Sequence, residues 1–69
     1  MILFDGVHMA SDVSLEELKQ EALKLGLKEK WLHESKILHY DILGKYKKIE
    51  KNCSARDIVL RSRDLYKKR

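Results

Sequence analysis

Proline is absent from this chain of 69 residues, and cysteine occurs once. Without proline there is no proline-marked linker, and the length suits one domain spanning residues 1–69. A lone Cys53 has no internal partner for a disulfide, which points to a reducing, cytoplasmic setting. Gly6, Gly26 and Gly44 stand alone, which excludes a glycine-rich phosphate loop. No apolar run approaches the roughly 18 residues that cross a bilayer, so no membrane partner is expected. The short apolar run at Met1–Phe4 has no basic flank and does not read as a signal peptide. No repeat and no low-complexity segment interrupts the pattern. A chain this short buries only about 60% of its unfolded surface, so a large apolar residue is expected in the core first.

Charge is plentiful and unevenly placed. Up to Glu34, Lys19, Lys24, Lys28 and Lys30 face Asp5, Asp12, Glu16, Glu17, Glu21, Glu29 and Glu34. From Ser35 onward, eleven basic residues face only Asp41, Glu50, Asp57 and Asp64. The chain's net charge is +4, and the second half therefore carries the whole positive excess while the first half is acidic. This asymmetry points to a polyanionic partner, with a merely solvated lysine-rich surface as the alternative.

The firmest element is a helix within Ser11–Leu27. Ser14 is its N-cap and Glu17 its capping-box partner. Leu15, Leu18, Ala22 and Leu25 fall on one face, and Gly26 marks the left-handed stop with Leu27 folding back. Ile2–Phe4 reads as a short buried strand ended by the Asp5-Gly6 turn pair, and Val7–Asp12 as a connector. Lys28–Glu34 extends the helical pattern by a turn, with Trp31 and Leu32 inward. Ile37–Ile42 reads as a second strand, Lys45–Asn52 as a short basic helix with Tyr46 and Ile49 inward, and Ser54 as the cap of a last helix. In that helix Ala55, Ile58, Ser62 and Leu65 share a face, and Asp57–Arg61 and Asp64–Lys68 are acid-before-base pairs. Strand, helix, strand is the layout of a parallel pair joined by a crossover. The expected fold is a small α/β domain with a two-stranded parallel sheet, a vestigial third strand, and three helices.

Several fragments then fall in order: HMASD at His8–Asp12, SLEEL at Ser14–Leu18 with Ala22, LGL at Leu25–Leu27 before Trp31, HYDI at His39–Ile42, and Ser-x-Arg-Asp-Ile-Val at Ser54–Val59. Together they resemble an uncharacterised family of small bacterial and phage proteins, the domain of unknown function 4031 family. In that family the last Ser-x-Arg element usually follows a Gly-Ala-Val strand. Only Asn52-Cys53 stands there in this chain, so the resemblance implies a third strand cut almost to nothing. It implies no activity.

Chemistry-bearing residues gather in two sets. Asp5 and Asp41 end the two expected strands, His39 precedes Asp41, and His8 and Asp12 lie on the connector. Parallel neighbours bring strand-end carboxylates to one sheet edge, where open α/β folds bind ligands. Asp5, His8, Asp12, His39 and Asp41 are thus candidate ligands for a divalent metal, Mg²⁺ or Mn²⁺ by their oxygen content. A metal so held activates water for attack on a phosphodiester, with a histidine as acid or base. The alternative gives each residue a turn, cap or sheet role. His8, His33 and His39 with one cysteine match no zinc-finger spacing. Cys53 precedes a helix start, a place for either an activated thiol or a small buried residue.

The second set is basic: Lys45, Lys47, Lys48 and Lys51 in one cluster, and Arg56, Arg63 and Lys67 on one face of the last helix. Such residues suit phosphates, and no pattern for reading bases accompanies them. The sequence points to a small accessory domain contacting nucleic acid or nucleotide phosphates, with a metal at the Asp/His edge. The alternative is a non-enzymatic interaction module, such as a phage protein docking on a host enzyme. Whether the chain is an enzyme stays open at this level.

Overall fold

A computed structural model describes residues 1–34 and 37–67, the last two without their side chains. The chain opens with strand β1 (Ile2–Phe4), turns at Asp5–Val7, and returns as β2 (His8–Ser11). The turn is written in Asp5-Gly6. One Asp5 carboxylate oxygen accepts the Val7 and His8 N–H groups at 2.8 and 2.7 Å, and Gly6 takes φ 106°, which favours glycine. β1 and β2 pair antiparallel, Phe4 opposite Met9 and Ile2 opposite Ser11.

Helix α1 (Leu15–Lys24) follows. Its Ser14 cap accepts the Glu17 N–H at 3.0 Å as expected. The reciprocal arm differs: Glu17 accepts the hydroxyl of buried Ser11 at 2.7 Å, while Ser11 Oγ accepts the Val13 and Ser14 N–H groups. Gly26, at φ 90°, and Leu27 donate to Leu23 and Ala22, which closes the helix as its sequence requires. A 3₁₀ turn at Glu29–Trp31 leads to the two-residue strand β3 (His33–Glu34). β4 (Leu38–Asp41), a second 3₁₀ turn at Gly44–Tyr46, an irregular stretch, and helix α2 (Ala55–Lys67) complete the chain.

The sheet order is β1-β2-β4-β3 and every neighbouring pair is antiparallel. The expected parallel two-stranded sheet with three helices is therefore incorrect: among the described residues the sheet has four antiparallel strands, with two α-helices. The error lies at His8–Ser11. Those residues look like a connector because they are few and do not alternate, yet they form the strand that separates β1 from β4. β1 and β4 do run the same way, each antiparallel to β2, but they are not neighbours. The expected vestigial strand is not a strand. Instead Asn52 binds the free edge of β1, its carboxamide taking the Phe4 N–H and giving to the Ile2 carbonyl, both at 2.9 Å. The side chain thus completes what a longer strand would pair. The expected basic helix at Lys45–Asn52 reduces to the 3₁₀ turn, although Tyr46 and Ile49 do pack on the core.

The two helices cover opposite faces. Phe4, Met9, Tyr40 and Ile42 pack with Leu18, Ala22 and Leu25 of α1 and with Leu27 beyond it. Leu3, Ala10 and Ile37 pack with Ile58 of α2, against which Cys53 and Val59 also lean. Burying a leucine or methionine completely is worth about 1.5–3 kcal/mol, so Leu3, Met9 and Leu18 anchor this small core. Tyr40 is buried, and its hydroxyl finds the Glu29 carbonyl at 3.3 Å. Among the described residues no helix is long and apolar enough to cross a membrane.

Candidate metal centre

Strand register assembles the site. Residues two apart on a strand share a face, and so do residues opposite each other. Ala10 faces α2, so His8 does too. Its partner Asp41 follows, then His39 two residues earlier, then His33 opposite His39. Three imidazoles and one carboxylate thus line the α2 face of the sheet at the edge where β1 and β4 end.

The contacts are specific. Asp41 Oδ1 lies 3.5 Å from His39 Nε2 and 3.9 Å from His8 Nε2, and Asp41 Oδ2 lies 3.4 Å from His33 Nε2. The His33 and His39 rings stack at 5.3 Å, and His8 meets His39 edge-on at 5.3 Å. Ligand atoms of His8, His39 and Asp41 all lie within 4.8 Å of one another.

Each inner imidazole is oriented from behind. His8 Nδ1 lies 2.9 Å from Asp5 Oδ2, and His39 Nδ1 lies 3.2 Å from the Ile37 carbonyl. An ionised carboxylate and a carbonyl only accept, so each Nδ1 carries the proton. In the neutral ring Nε2 is then bare and turned toward Asp41. Asp5 itself is almost fully covered. Burial pushes its carboxyl up, but the N–H groups of His8 and Val7 and the His8 ring outweigh that and hold it below the ordinary 3.8. It remains the anion that fixes the His8 tautomer.

The spacing is longer than that of direct hydrogen bonds and compatible with ligands around an ion. A good N–H···O bond spans about 2.7–3.2 Å, and all three Nε2–Asp41 distances exceed it. Two ligand atoms each about 2.1 Å from a tetrahedral ion stand about 3.4 Å apart. The observed 3.4–3.9 Å falls at or slightly beyond that separation. Carboxylate, histidine and then metal is the usual order of shells around such ions. His8 and Asp41 are each more than a third exposed, so a further ligand has access.

Of the five residues proposed from sequence, His8, His39 and Asp41 converge and Asp5 supports them from behind. Asp12 does not belong. It follows β2 while His8 begins it, about 13 Å away along an extended strand. There it binds the Met1 amine at 2.8 Å and Arg61 at 2.9 Å, which in that order hold its carboxyl below the usual range. The expected placement of His8 and Asp12 at one edge is thus corrected: a connector became a strand, and its ends lie apart. His33 is the residue the sequence analysis set aside. Its only signal was the two-residue strand opposite His39, hidden inside an expected helical turn. With Asp5 and Asp12 outside the ligand set, the donors are mainly nitrogen, unlike the oxygen-rich set expected for Mg²⁺.

The basic residues divide as well. Lys45, Lys47, Lys48 and Lys51 are exposed on the segment that leaves β4 at the site edge. The Ile42 N–H bonds the Val7 carbonyl, and a Cβ placed on Gly6 meets Lys51 Cδ at 4.0 Å, so this segment lies beside the β1–β2 turn. Arg56 and Arg63 are exposed on α2, and the Lys67 side chain lies outside the described atoms, as do Lys68 and Arg69. Cys53 is half-buried against β1, and burial pushes its thiol up, which fits the small packed residue rather than the activated one. Trp31, expected in the core, is 38% exposed.

A family described as "Protein of unknown function (DUF4031)" matches residues 5–65. No curated protein matches the chain, and no solved structure does.

Proposed function

The chain belongs to the DUF4031 family, proteins of unknown function, and from that premise we propose that it is a small metal-dependent domain that contacts nucleotide or nucleic-acid phosphates. The metal is of the zinc class, held by His8 Nε2, His39 Nε2 and one Asp41 oxygen, with His33 on the other oxygen. The observation that carries this is the oriented pair of imidazoles. Two Nδ1 atoms occupied from behind leave two Nε2 atoms converging on one carboxylate oxygen at 3.5 and 3.9 Å, too long for direct hydrogen bonds and near the separation of ligands on a shared ion.

Three protein ligands with an accessible fourth position suit an ion that takes up water or a phosphate oxygen. The lysine-rich segment supplies attraction at the same edge. Lys51 lies beside Gly6, and Lys45 lies over the Tyr46 ring, and phosphate binding asks little more than such charges.

Equilibrium dialysis against Zn²⁺, Mn²⁺ and Mg²⁺ tests the metal. One equivalent of Zn²⁺, retained far more tightly than Mg²⁺ and lost in folded His8→Ala and Asp41→Ala, is expected. Equal retention by the wild type and both variants overturns the assignment. A gel-shift series on single-stranded DNA tests the phosphate contact, with affinity falling as salt rises. Absence of any shift at low salt removes that part.

A further inference from the structure

A cavity of about 400 Å³ is lined by Leu27, Trp31, Leu32, Leu43 and Tyr46, together with Lys30 and with His33 and Asp41 of the candidate metal edge. Its size suits a small ligand. Trp31 and Tyr46 meet edge-on at 5.8 Å and form an aromatic corner of its wall. Cations surround that corner: Lys28 Nζ lies 5.8 Å from the Trp31 ring and Lys45 Nζ 5.3 Å from the Tyr46 ring. The one acid in the adjoining 3₁₀ turn, Glu29, is paired with Lys19 at 3.0 Å.

We infer that this cavity receives the base of a nucleotide whose phosphate lies on the metal held at Asp41. The inference rests on the metal reading above and adds the ligand. An apolar, aromatic wall takes a flat ring, and bases stack on such walls whatever their sequence. Lys28, Lys30 and Lys45 favour an anion over a neutral aromatic compound. His33 and Asp41 belong to both cavity and metal edge, so a ring in the cavity carries its phosphate to the ion. The ligand chemistry is base plus phosphate, whether as a free nucleotide or within a single strand.

Trp31 is the only tryptophan and reports the event directly. The full chain is first titrated with Co²⁺, whose absorption shows whether the His8–His39–Asp41 site fills. The Zn²⁺-loaded chain is then titrated with adenosine 5′-monophosphate, adenosine, ribose 5-phosphate and oligo(dA), read by Trp31 fluorescence and calorimetry. The expected result is quenching by the monophosphate, with affinity about tenfold or more above adenosine and ribose 5-phosphate. Removing the metal with EDTA abolishes that advantage over adenosine. Oligo(dA) binding above the monophosphate assigns the ligand to a strand, and equal binding assigns it to a free nucleotide; both support the proposal. Trp31→Ala weakens binding about tenfold. Leu43→Glu, at a residue 63% exposed, does so without touching the core.

A Co²⁺ site that fills, with Trp31 unmoved by millimolar nucleotide, overturns the base pocket and leaves the metal standing. Indole binding as tightly as the monophosphate also overturns it. Nucleotide binding unchanged by EDTA overturns the phosphate-on-metal arrangement, and a Co²⁺ spectrum that never appears overturns the metal reading itself.

Discussion

Replacing Asp5 with asparagine separates the proposed metal site from the fold that carries it. Asp5 Oδ1 accepts the Val7 and His8 N–H groups at 2.8 and 2.7 Å, and an asparagine carbonyl keeps both. Oδ2 accepts the His8 Nδ1 proton at 2.9 Å, and there the asparagine presents an NH₂ group. Two donors then oppose each other. His8 relieves the conflict by moving its proton to Nε2, the atom that faces Asp41. That atom is then closed to the proposed metal. Loss of an outer-shell carboxylate of this kind costs about 10–100-fold in metal affinity, or about 1.4–2.7 kcal/mol. The fold should lose less, on the order of 1 kcal/mol, because the turn keeps its acceptor. Zn²⁺ affinity by chelator competition and imidazole ¹⁵N shifts for the tautomer measure the two effects. Asp5→Ala removes both roles and should cost stability as well, about 1–3 kcal/mol for the stranded N–H groups. Unchanged Zn²⁺ affinity in a folded Asp5→Asn chain refutes the reasoning.

Three further outcomes follow from the packing. Asn52→Ala removes two hydrogen bonds to the edge of β1 and should destabilise the domain by about 1–2 kcal/mol, lowering Tm by roughly 4–16 °C in a thermal melt. Gly26→Ala forces an L residue onto φ 90°, with the new Cβ in ordinary contact with Tyr46 at 3.7 Å, and should cost about 1 kcal/mol by the same assay. The Glu17 carboxyl is held below its ordinary 4.5, first by the Ser11 hydroxyl and then by the Met1 amine. A depressed carboxyl contributes stability that is present above its unfolded value and lost as pH falls through the lower folded one. Ser11→Ala should therefore flatten the acid limb of stability below about pH 4.5, read by urea titration at stepped pH.

Local signals in the sequence were reliable wherever a short segment dictated its own conformation. Ser14 and Ser54 both cap their helices, accepting the N–H groups of Glu17 and Asp57, and Gly26 ends α1 in the left-handed region. The Asp5-Gly6 turn was equally legible, but its partner strand was not. His8–Ser11 is four residues long, and Met9, Ala10 and Ser11 are all buried, so it lacks the alternation of a half-exposed strand. Once that strand was missed, strand, helix, strand read as a parallel crossover. His8, His39 and Asp41 still meet, and Asp5 still lies behind His8, because β1 and β4 end at one edge. Asp12 does not join them, because it belongs to the far end of the missed strand. His33 and Trp31 share a cause. One expected helical turn covered what is a 3₁₀ turn followed by β3, which places His33 on His39 and leaves Trp31 on the cavity wall.

Imidazole nitrogen spectra of the full chain, recorded while Zn²⁺ is added to one equivalent, probe the convergence of His8, His39 and Asp41 most directly. The expected result is a saturating shift of Nε2 in His8 and His39 at equimolar metal, with both Nδ1 atoms keeping their protons and donating them to Asp5 and the Ile37 carbonyl. Nε2 signals that stay in place through a tenfold excess of Zn²⁺ would contradict the account and leave those side chains as sheet residues alone.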